Sequence, residues 1–351
     1  MKRRSRPRHT PRNQILAGDA LDRLERLEDH SVDAIVTSPP YFRLRDYGHP
    51  GQVGLEHHID DWADALQKVL REAARILVPT GSIWLNLGDS YSTHPREGAP
   101  RKSLLLGPQR LALRLLADGW TVRNVVVWAK TNPIPSSVRD RLSTTHEIIY
   151  LLTRQPRYYF DLDALRAPHT SQLRPRRAGR APTAERPAWL GPNADGDRGL
   201  DALHAAGRAG HPLGKNPGDV WQLPAGGYRG AHFATYPERL ARRMVEASTP
   251  RMRCTRCRAP WTRAVIRHGH QAWRAPPRPT CSCASNAEPG IVLDPFIGAG
   301  TTAIAAAKLG RDWLGIELSD DYIRLALDRY RREVRSGRPE PNQQAPGKEV
   351  T

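Results

Sequence analysis

Short apolar runs ending in turn residues alternate along this chain with longer stretches of helical spacing. Ile15-Leu16-Ala17-Gly18-Asp19 predicts a short strand closed by a turn, and Ala20 to Leu27 a short helix with Leu21, Leu24 and Leu27 on one face. Val32-Asp33-Ala34-Ile35-Val36 predicts a buried parallel strand. His58 to Leu77 predicts a helix: Asp60 and Asp61 stand in its first turn, and Trp62, Leu66, Val69, Leu70, Ala73 and Leu77 keep the spacing. Pro79-Thr80-Gly81 ends it, and Ser82 to Leu87 predicts a strand. Leu104 to Ala117 predicts a helix closed by Gly119, followed by a strand at Val122 to Trp128. Glu147 to Thr153 is another strand, with no helix before it, so it is expected to run antiparallel to its neighbour. Pro237 to Ala247 predicts a helix, Ile291 to Asp294 a strand, Thr301 to Leu309 a helix with Gly310 past its end, and Trp313 to Glu317 a strand. Ser319 is placed to N-cap a last helix reaching about Val334. The alternation predicts an α/β architecture around a mostly parallel sheet.

The pattern fails from 154 to 230, where Arg, Pro, Gly and Ala dominate and Arg174, Arg176, Arg177, Arg180 and Arg186 crowd together. Residues 1–13 read as a disordered basic arm and 336–351 as a flexible tail. The chain has 351 residues and 39% hydrophobic content, enough for one large domain and a smaller module. No apolar run reaches the roughly 18 residues of a membrane span. The basic N-terminus lacks the apolar stretch of a secretory signal. Net charge is +18, from 54 Lys and Arg against 36 Asp and Glu. An arginine-rich proteome would also give such a balance, but the excess favours a polyanionic partner, nucleic acid before membrane.

Two stretches carry chemistry. Thr37-Ser38-Pro39-Pro40-Tyr41 follows the buried strand, and two prolines cannot donate to a sheet ladder, so the strand stops in a stiff loop. Open α/β sheets bind ligands at that end of their strands. The Ser38 hydroxyl and the Ser38 and Pro39 carbonyls offer acceptors, and Tyr41 a flat face, a set suited to a planar ring with an exocyclic amine. The bland alternative is a proline-terminated strand with a packed tyrosine. The glycine-punctuated segments Arg45-Asp46-Tyr47-Gly48 and Gly51-Gln52-Val53-Gly54-Leu55-Glu56 are expected to lie over this site. The second stretch, Asp294-Pro295-Phe296-Ile297-Gly298-Ala299-Gly300-Thr301-Thr302, joins a strand to a helix. Gly298 and Gly300 permit a tight turn and close approach of a ligand. Glu317 ends the next strand, where a carboxylate accepts ribose hydroxyls. Alone, such glycines only tighten a turn.

Together these stretches resemble the amino-methyltransferases of DNA, which pair Asp/Ser/Asn-Pro-Pro-Tyr/Phe/Trp with an Asp-Pro-Phe-x-Gly-x-Gly-Thr loop. The tetrapeptide comes first and the loop last, as in the circularly permuted β group. Gly18-Asp19, Asn86-x-Gly88-Asp89, Trp128-x-Lys130, His146-Glu147 and His232-Phe233-Ala234-Thr235-Tyr236-Pro237 extend the match. The resemblance implies a Rossmann-like methyltransferase fold with a mostly parallel seven-stranded sheet, one strand antiparallel, and S-adenosylmethionine as methyl donor. By it, Ser38, Pro39, Pro40 and Tyr41 are catalytic. Phe296, Gly298, Gly300 and Thr301 cradle the donor, Glu317 holds its ribose and Asp19 lies near its adenine. Thr235 belongs to a segment that closes over the methionine end. Asp294 either organises the loop or meets the donor's ammonium. Asp89, Lys130 and His146 serve as readily as caps or ion pairs as in the chemistry.

The resemblance further implies a catalytic half at 14–153, a target-recognition or linker region at 154–230, and a cofactor half at 231–335. Double-stranded DNA is the expected partner, with a cognate restriction endonuclease a candidate second, in a cytoplasmic, nucleoid-associated protein. Ser-Pro-Pro-Tyr goes mostly with cytosine N4 and Asp-Pro-Pro-Tyr mostly with adenine N6, so cytosine N4 is expected and adenine N6 is the alternative. No Pro-Cys dipeptide of a cytosine-C5 enzyme is present. A DNA-binding protein on a decayed core, and methylation of RNA or protein amides, are the more distant readings.

All four cysteines lie in one segment, 251–285. Cys254-x-x-Cys257 has zinc-knuckle spacing and Cys281-x-Cys283 a tighter spacing found in zinc ribbons. A closed structural zinc site is expected, with His268 and His270 as substitute ligands and Trp261 and Trp273 packing the module. Unligated thiols are the alternative.

Overall fold

A computed structural model describes residues 9–169, 211–226, 236–268 and 271–335. The arginines from Arg174 to Arg186, Thr235, His270, and most of the basic arm and the tail lie outside the described residues.

The strands are, in chain order, β1 (Gln14–Ala17), β2 (Val32–Thr37), β3 (Leu77–Leu87), β4 (Thr121–Lys130), β5 (His146–Thr153) and β6 (Val220–Leu223). Six short strands follow: β7 (Arg253–Cys254), β8 (Trp261–Thr262), β9 (Val265–His268), β10 (Gln271–Arg274), β11 (Arg278–Pro279) and β12 (Ala287–Glu288). Then come β13 (Ile291–Asp294) and β14 (Asp312–Glu317). Among the described residues the α-helices are α1 (Ala20–Leu24), α2 (Ile59–Ile76), α3 (Gly107–Ala117), α4 (Glu238–Ser248), α5 (Thr301–Lys308) and α6 (Asp320–Tyr330), the last continued by a π-helical turn at Arg331–Arg335.

The chain divides into two compact units. The first, residues 1–161, 219–262 and 277–351, holds the large sheet. The second, 162–218 and 263–276, contains the antiparallel hairpin β9–β10 and a bridge between Ala167 and Lys215.

The sheet has eight strands in the order β1-β14-β13-β2-β3-β5-β4-β6. Only β5 runs against its neighbours, as the missing helix before Glu147 requires. The eighth strand, β6, is one more than the seven expected. It pairs with β4 from Val127↔Val220 to Lys130↔Leu223, and its four residues stand inside the aperiodic stretch, too short to give a periodic signal.

All six residues of β2 are buried, which is why apolar residues occupy both of its faces; the two polar ones, Asp33 and Thr37, are paired with Arg253 and Asp294. Ile35, Ile83 and Leu85 face a core with Leu24 of α1, Trp62 and Leu66 of α2 and Leu111 of α3. The intervening Ala34, Val36 and Trp84 are buried outside that cluster, and α4 packs on β2 and β3. Burying helices on both faces of a parallel sheet is the doubly wound solution.

Helix starts follow local chemistry. Asp19 caps α1 by accepting from the Leu21 and Asp22 amides, and Ser319 caps α6 through the Tyr322 amide at 3.4 Å. α3 begins at 107, not 104, because Leu106 is left-handed at φ 55° and makes no cap of its own. Asp89 caps it from another loop, accepting from the amides of Leu106 at 3.0 Å and Gly107 at 3.2 Å. No described helix is long and apolar enough to cross a membrane.

Candidate active site

β2 and β13 lie side by side in parallel, with Val292 opposite Ala34. From β2 the chain winds outward to β3, and from β13 it winds the other way to β14. The carboxyl ends of two such strands diverge into a crevice, the switch point where doubly wound sheets bind ligands. Here the crevice is a recess of about 970 Å³, open mouth included. Ser38 and Pro40 line it from the β2 side, and Phe296, Gly298 and Thr301 from the β13 side. Asp19 and Glu317 close one end. Tyr47, His49, Gln52 and Val53 form part of its cover. Gln52 fixes that cover by accepting from the amides of Tyr47 at 2.9 Å and His49 at 3.3 Å.

The loop after β13 is shaped from below. Gly298 and Gly300 have φ of 48° and 79°, and a Cβ on Gly300 would stand 3.1 Å from the Cβ of Ala326. Asp294 is sealed beneath the loop. Its Oδ1 accepts from Thr37 Oγ1 at 2.7 Å and the Phe296 amide at 3.1 Å, and its Oδ2 from Thr302 Oγ1 at 2.6 Å and Tyr236 at 3.2 Å. Burial pushes its carboxyl up to about 6. Asp294 does not line the recess, and its four hydrogen bonds tie the loop to β2 and to the first turn of α5. Arg329 of α6 braces the same turn, donating to Ala299 O at 3.2 Å and Thr301 Oγ1 at 2.8 Å. Glu317 accepts from the Gly298 amide at 2.9 Å through Oε2 and the Ser319 amide at 3.0 Å through Oε1. Each oxygen therefore retains acceptor capacity toward the recess. Burial pushes this carboxyl up as well.

Behind Ser38 runs a polar network. Ser38 Oγ and the Tyr41 hydroxyl are 3.0 Å apart, and Tyr41 donates to Glu147 Oε2 at 2.6 Å. Asn86 Nδ2 lies 3.3 Å from Ser38 Oγ, 2.9 Å from the Tyr41 oxygen and 2.7 Å from Glu147 Oε2. Lys130 donates to Glu147 Oε1 at 2.6 Å. With the phenolic proton committed to Glu147, the Ser38 proton goes to the Tyr41 oxygen, and the Ser38 lone pairs are left as acceptors. Burial and the Glu147 charge hold the Tyr41 phenol well above its ordinary value, so it stays a donor. The ring is also fixed laterally: a Cβ on Gly88 would come within 2.6 Å of Tyr41 Cε2. The Trp62 indole donates to Pro40 O at 2.9 Å and pins the second proline.

Pro39, Tyr41, Asp294 and Gly300 are not among the residues that line the recess. Thr235 lies outside the described residues, and its neighbour Tyr236 lines the recess. Asn86 and Glu147 were visible in the sequence only as motif matches. Their convergence on Ser38 needed the antiparallel pairing of β5 with β3, which sets Asn86 opposite Ile149. Tyr322 of α6 was missed. It meets Tyr47 edge-on at 6.0 Å, and nothing local distinguishes it from a surface tyrosine.

In the same unit, the sulfurs of Cys254, Cys257, Cys281 and Cys283 lie within 4.8 Å of one another and form no disulfide. His268 is not part of this group among the described residues. The cluster is strapped to the start of β2. Arg258 donates to Asp29 O at 2.9 Å, His30 O at 2.6 Å and Glu28 Oε1 at 2.7 Å. Arg253 donates to Ser31 O at 2.9 Å and to the buried Asp33 at 2.8 Å.

The pattern that defines the DNA methylase family matches residues 32–328. The SfiI type II methyltransferase of Streptomyces fimbriatus is 31% identical over 410 aligned positions, covering 88% of this chain and 89% of its own. The SmaI methyltransferase of Serratia marcescens is 31% identical, covering 91% of each chain. Among solved structures, the PvuII cytosine-N4-specific DNA methyltransferase superposes with a TM-score of 0.55 at 16% identity, over 93% of this chain and 94% of its own. A Thermus thermophilus protein assigned as a DNA modification methylase, in complex with S-adenosyl-L-methionine, gives 0.51 at 24% identity, over 92% and 94%. At these identities the structural likeness speaks for the fold.

Proposed function

This chain belongs to the N6/N4 DNA methylase family and is a DNA methyltransferase, and from that premise we propose that it methylates the exocyclic N4 of a flipped-out cytosine, with S-adenosylmethionine as donor. The observation that carries the reading is that Ser38 and Gly298, far apart in the chain, line one recess. The donor fits that recess. Glu317 keeps acceptor capacity for two ribose hydroxyls, and the turn at Gly298 lets backbone approach closely. When bound, the donor supplies an electrophilic methyl group on a sulfonium.

A base inside a duplex cannot reach that methyl, so the nucleotide is swung out of the stack. Ser38 Oγ and the Pro39 carbonyl accept the two amine protons and aim the nitrogen lone pair along the line of transfer. Tyr41, tied by its hydroxyl to Glu147, lies outside the donor recess, and the flipped base is proposed to enter beside Ser38 and stack on its ring there. As the N–C bond forms and the C–S bond breaks, the nitrogen gains positive charge. The hydroxyl chain from Ser38 through Tyr41 to Glu147 polarises toward that charge and accepts the surplus proton. Most of the rate comes from positioning.

Serine accepts from either amine, so adenine N6 is the alternative target. The Ser-Pro-Pro-Tyr form favours cytosine. The intact recess and network argue against a decayed, merely DNA-binding core. The region 154–230 is proposed to read the target sequence, a restriction endonuclease to be its counterpart, and the cytoplasmic nucleoid its place of action. The four cysteines are proposed to hold one structural zinc ion, since four clustered thiolates suit its tetrahedral sulfur coordination. The deciding experiment is mass spectrometry of nucleosides from host DNA after expression. N4-methylcytosine is expected, and N6-methyladenine alone would overturn the choice of base.

A further inference from the structure

The loop 131–145 joins β4 to β5 at the carboxyl end of β4, and β4 is parallel to β2, so the loop rises from the sheet edge that carries Ser38. Its two ends belong to the active-site network. Lys130, just before it, and Glu147, just after it, form the ion pair that holds the Tyr41 hydroxyl. The loop is braced on both sides. Lys102 donates to Asp140 at 2.6 Å, the Arg141 guanidinium lies 3.6 Å from the centre of the Tyr91 ring, and Asn132 Oδ1 accepts from the Ala225 amide at 2.6 Å.

Between these braces the loop holds apolar side chains in water. Leu142 is 91% exposed and Ile134 89%, the two highest values for large hydrophobics among the described residues; the next, Leu113, is 67%. Single exposed leucines are ordinary on a protein surface. The two extremes on one short loop, whose ends carry the Lys130–Glu147 pair behind Ser38, are not accounted for by core packing. Arg139 and Arg141 precede Leu142 within three residues, with Asp140 between them held by Lys102, so the exposed leucine follows directly on two cations. Leu142 is five residues from Glu147 and stands at most about 18 Å from it along the chain.

Resting on the reading that the target base is swung out, we propose that this loop enters the duplex, with Leu142 filling the place the base leaves and Arg139 and Arg141 on the adjacent phosphates. Apolar wedges between base steps offset lost stacking, and arginines close to them in the chain neutralise the backbone. Ile134, on the rising limb of the same loop, covers the neighbouring base pair.

The test compares two duplexes carrying the site identified by methylation sequencing of host DNA. In one the target base has its normal partner; in the other it faces an abasic position and needs little work to leave the stack. Leu142→Ala is expected to lower the single-turnover rate on the paired duplex about tenfold or more relative to the abasic one. Leu142→Trp should restore the ratio, and Leu113→Ala, equally a surface leucine, should leave it unchanged. Leu142 is exposed, so folding is not at stake. An equal fall on both duplexes, or no fall on either, overturns the wedge. Failure of the wild-type chain on both would overturn methyl transfer itself and the wedge with it.

Discussion

The Thr37 hydroxyl donates to Asp294 at 2.7 Å across 257 positions of sequence. Thr37 precedes the Ser38 loop and Asp294 opens the glycine loop, so this hydrogen bond carries the pairing of β2 with β13 up to the start of both loops. Tyr236 and Thr302 converge on the same carboxylate, which makes it the anchor of both.

Ser38→Ala removes the acceptor proposed to orient the amine, while the hydroxyl of Tyr41 keeps Glu147. The single-turnover methylation rate should fall about a hundredfold or more. Donor affinity, measured by calorimetry, should stay as in the wild type. Loss of donor binding would place Ser38 in the wrong half of the site.

Glu147→Gln keeps the shape of the side chain and removes its charge. Tyr41 and Lys130 then lose a charged partner in a half-buried place. A fall of about 10- to 100-fold in kcat is expected, with KM for the donor unchanged. A change confined to KM would show that the network serves donor binding.

Asp294 has its folded carboxyl raised to about 6 from 3.8, so the native state holds a proton that the unfolded chain releases in that interval. This group therefore lowers stability as pH rises from about 4 to about 6 and adds no further slope above. Asn at this position cannot ionise. The difference in unfolding free energy between Asp294→Asn and wild type should move in favour of the variant by about 3 kcal/mol across that range. Parallel pH profiles from urea melts would check it; a constant difference would mean the carboxyl ionises normally. Asp33, also raised to about 6 by burial despite Arg253, contributes the same slope to both proteins and cancels.

The four thiols are expected to carry one zinc ion per chain by elemental analysis. Removal with a strong chelator should lower the thermal midpoint by several degrees, on the order of 2 kcal/mol or more. Cys257→Ser should reproduce the loss. Because Arg253 and Arg258 strap this module to the start of β2, methylation should fall with it. A metal-free protein of unchanged stability would leave the cysteines as plain thiols.

Local signals foretold most of the frame. The apolar run at 32–36 and the two prolines after it located β2 and its loop, and Asp60, Asp61 and the spacing of Trp62 to Ala73 located α2 to within a residue at either end. The glycine-rich cover at 45–56 was also legible, because glycines there have no core to serve. What stayed hidden depends on pairing. β6 is four residues in an arginine- and proline-rich stretch, and only the open edge of β4 gives it a reason to be extended. Glu147 looks like any acid at the head of a strand until β5 sets it beside Tyr41. Asp89 could not be told from a catalytic acid by its motif, and the left-handed Leu106 that needs its cap is invisible in one dimension.

β13 and β14 occupy the gap between β1 and β2, although they are made some 250 residues later in the chain, about the span that Thr37 and Asp294 bridge. A ribosome therefore releases the catalytic strand with one flank bare and keeps it so until the final helices are being synthesised. Such long-range closure is slow and leaves sticky intermediates. It also means that a product terminated before β13 lacks the glycine loop and with it one whole wall of the recess.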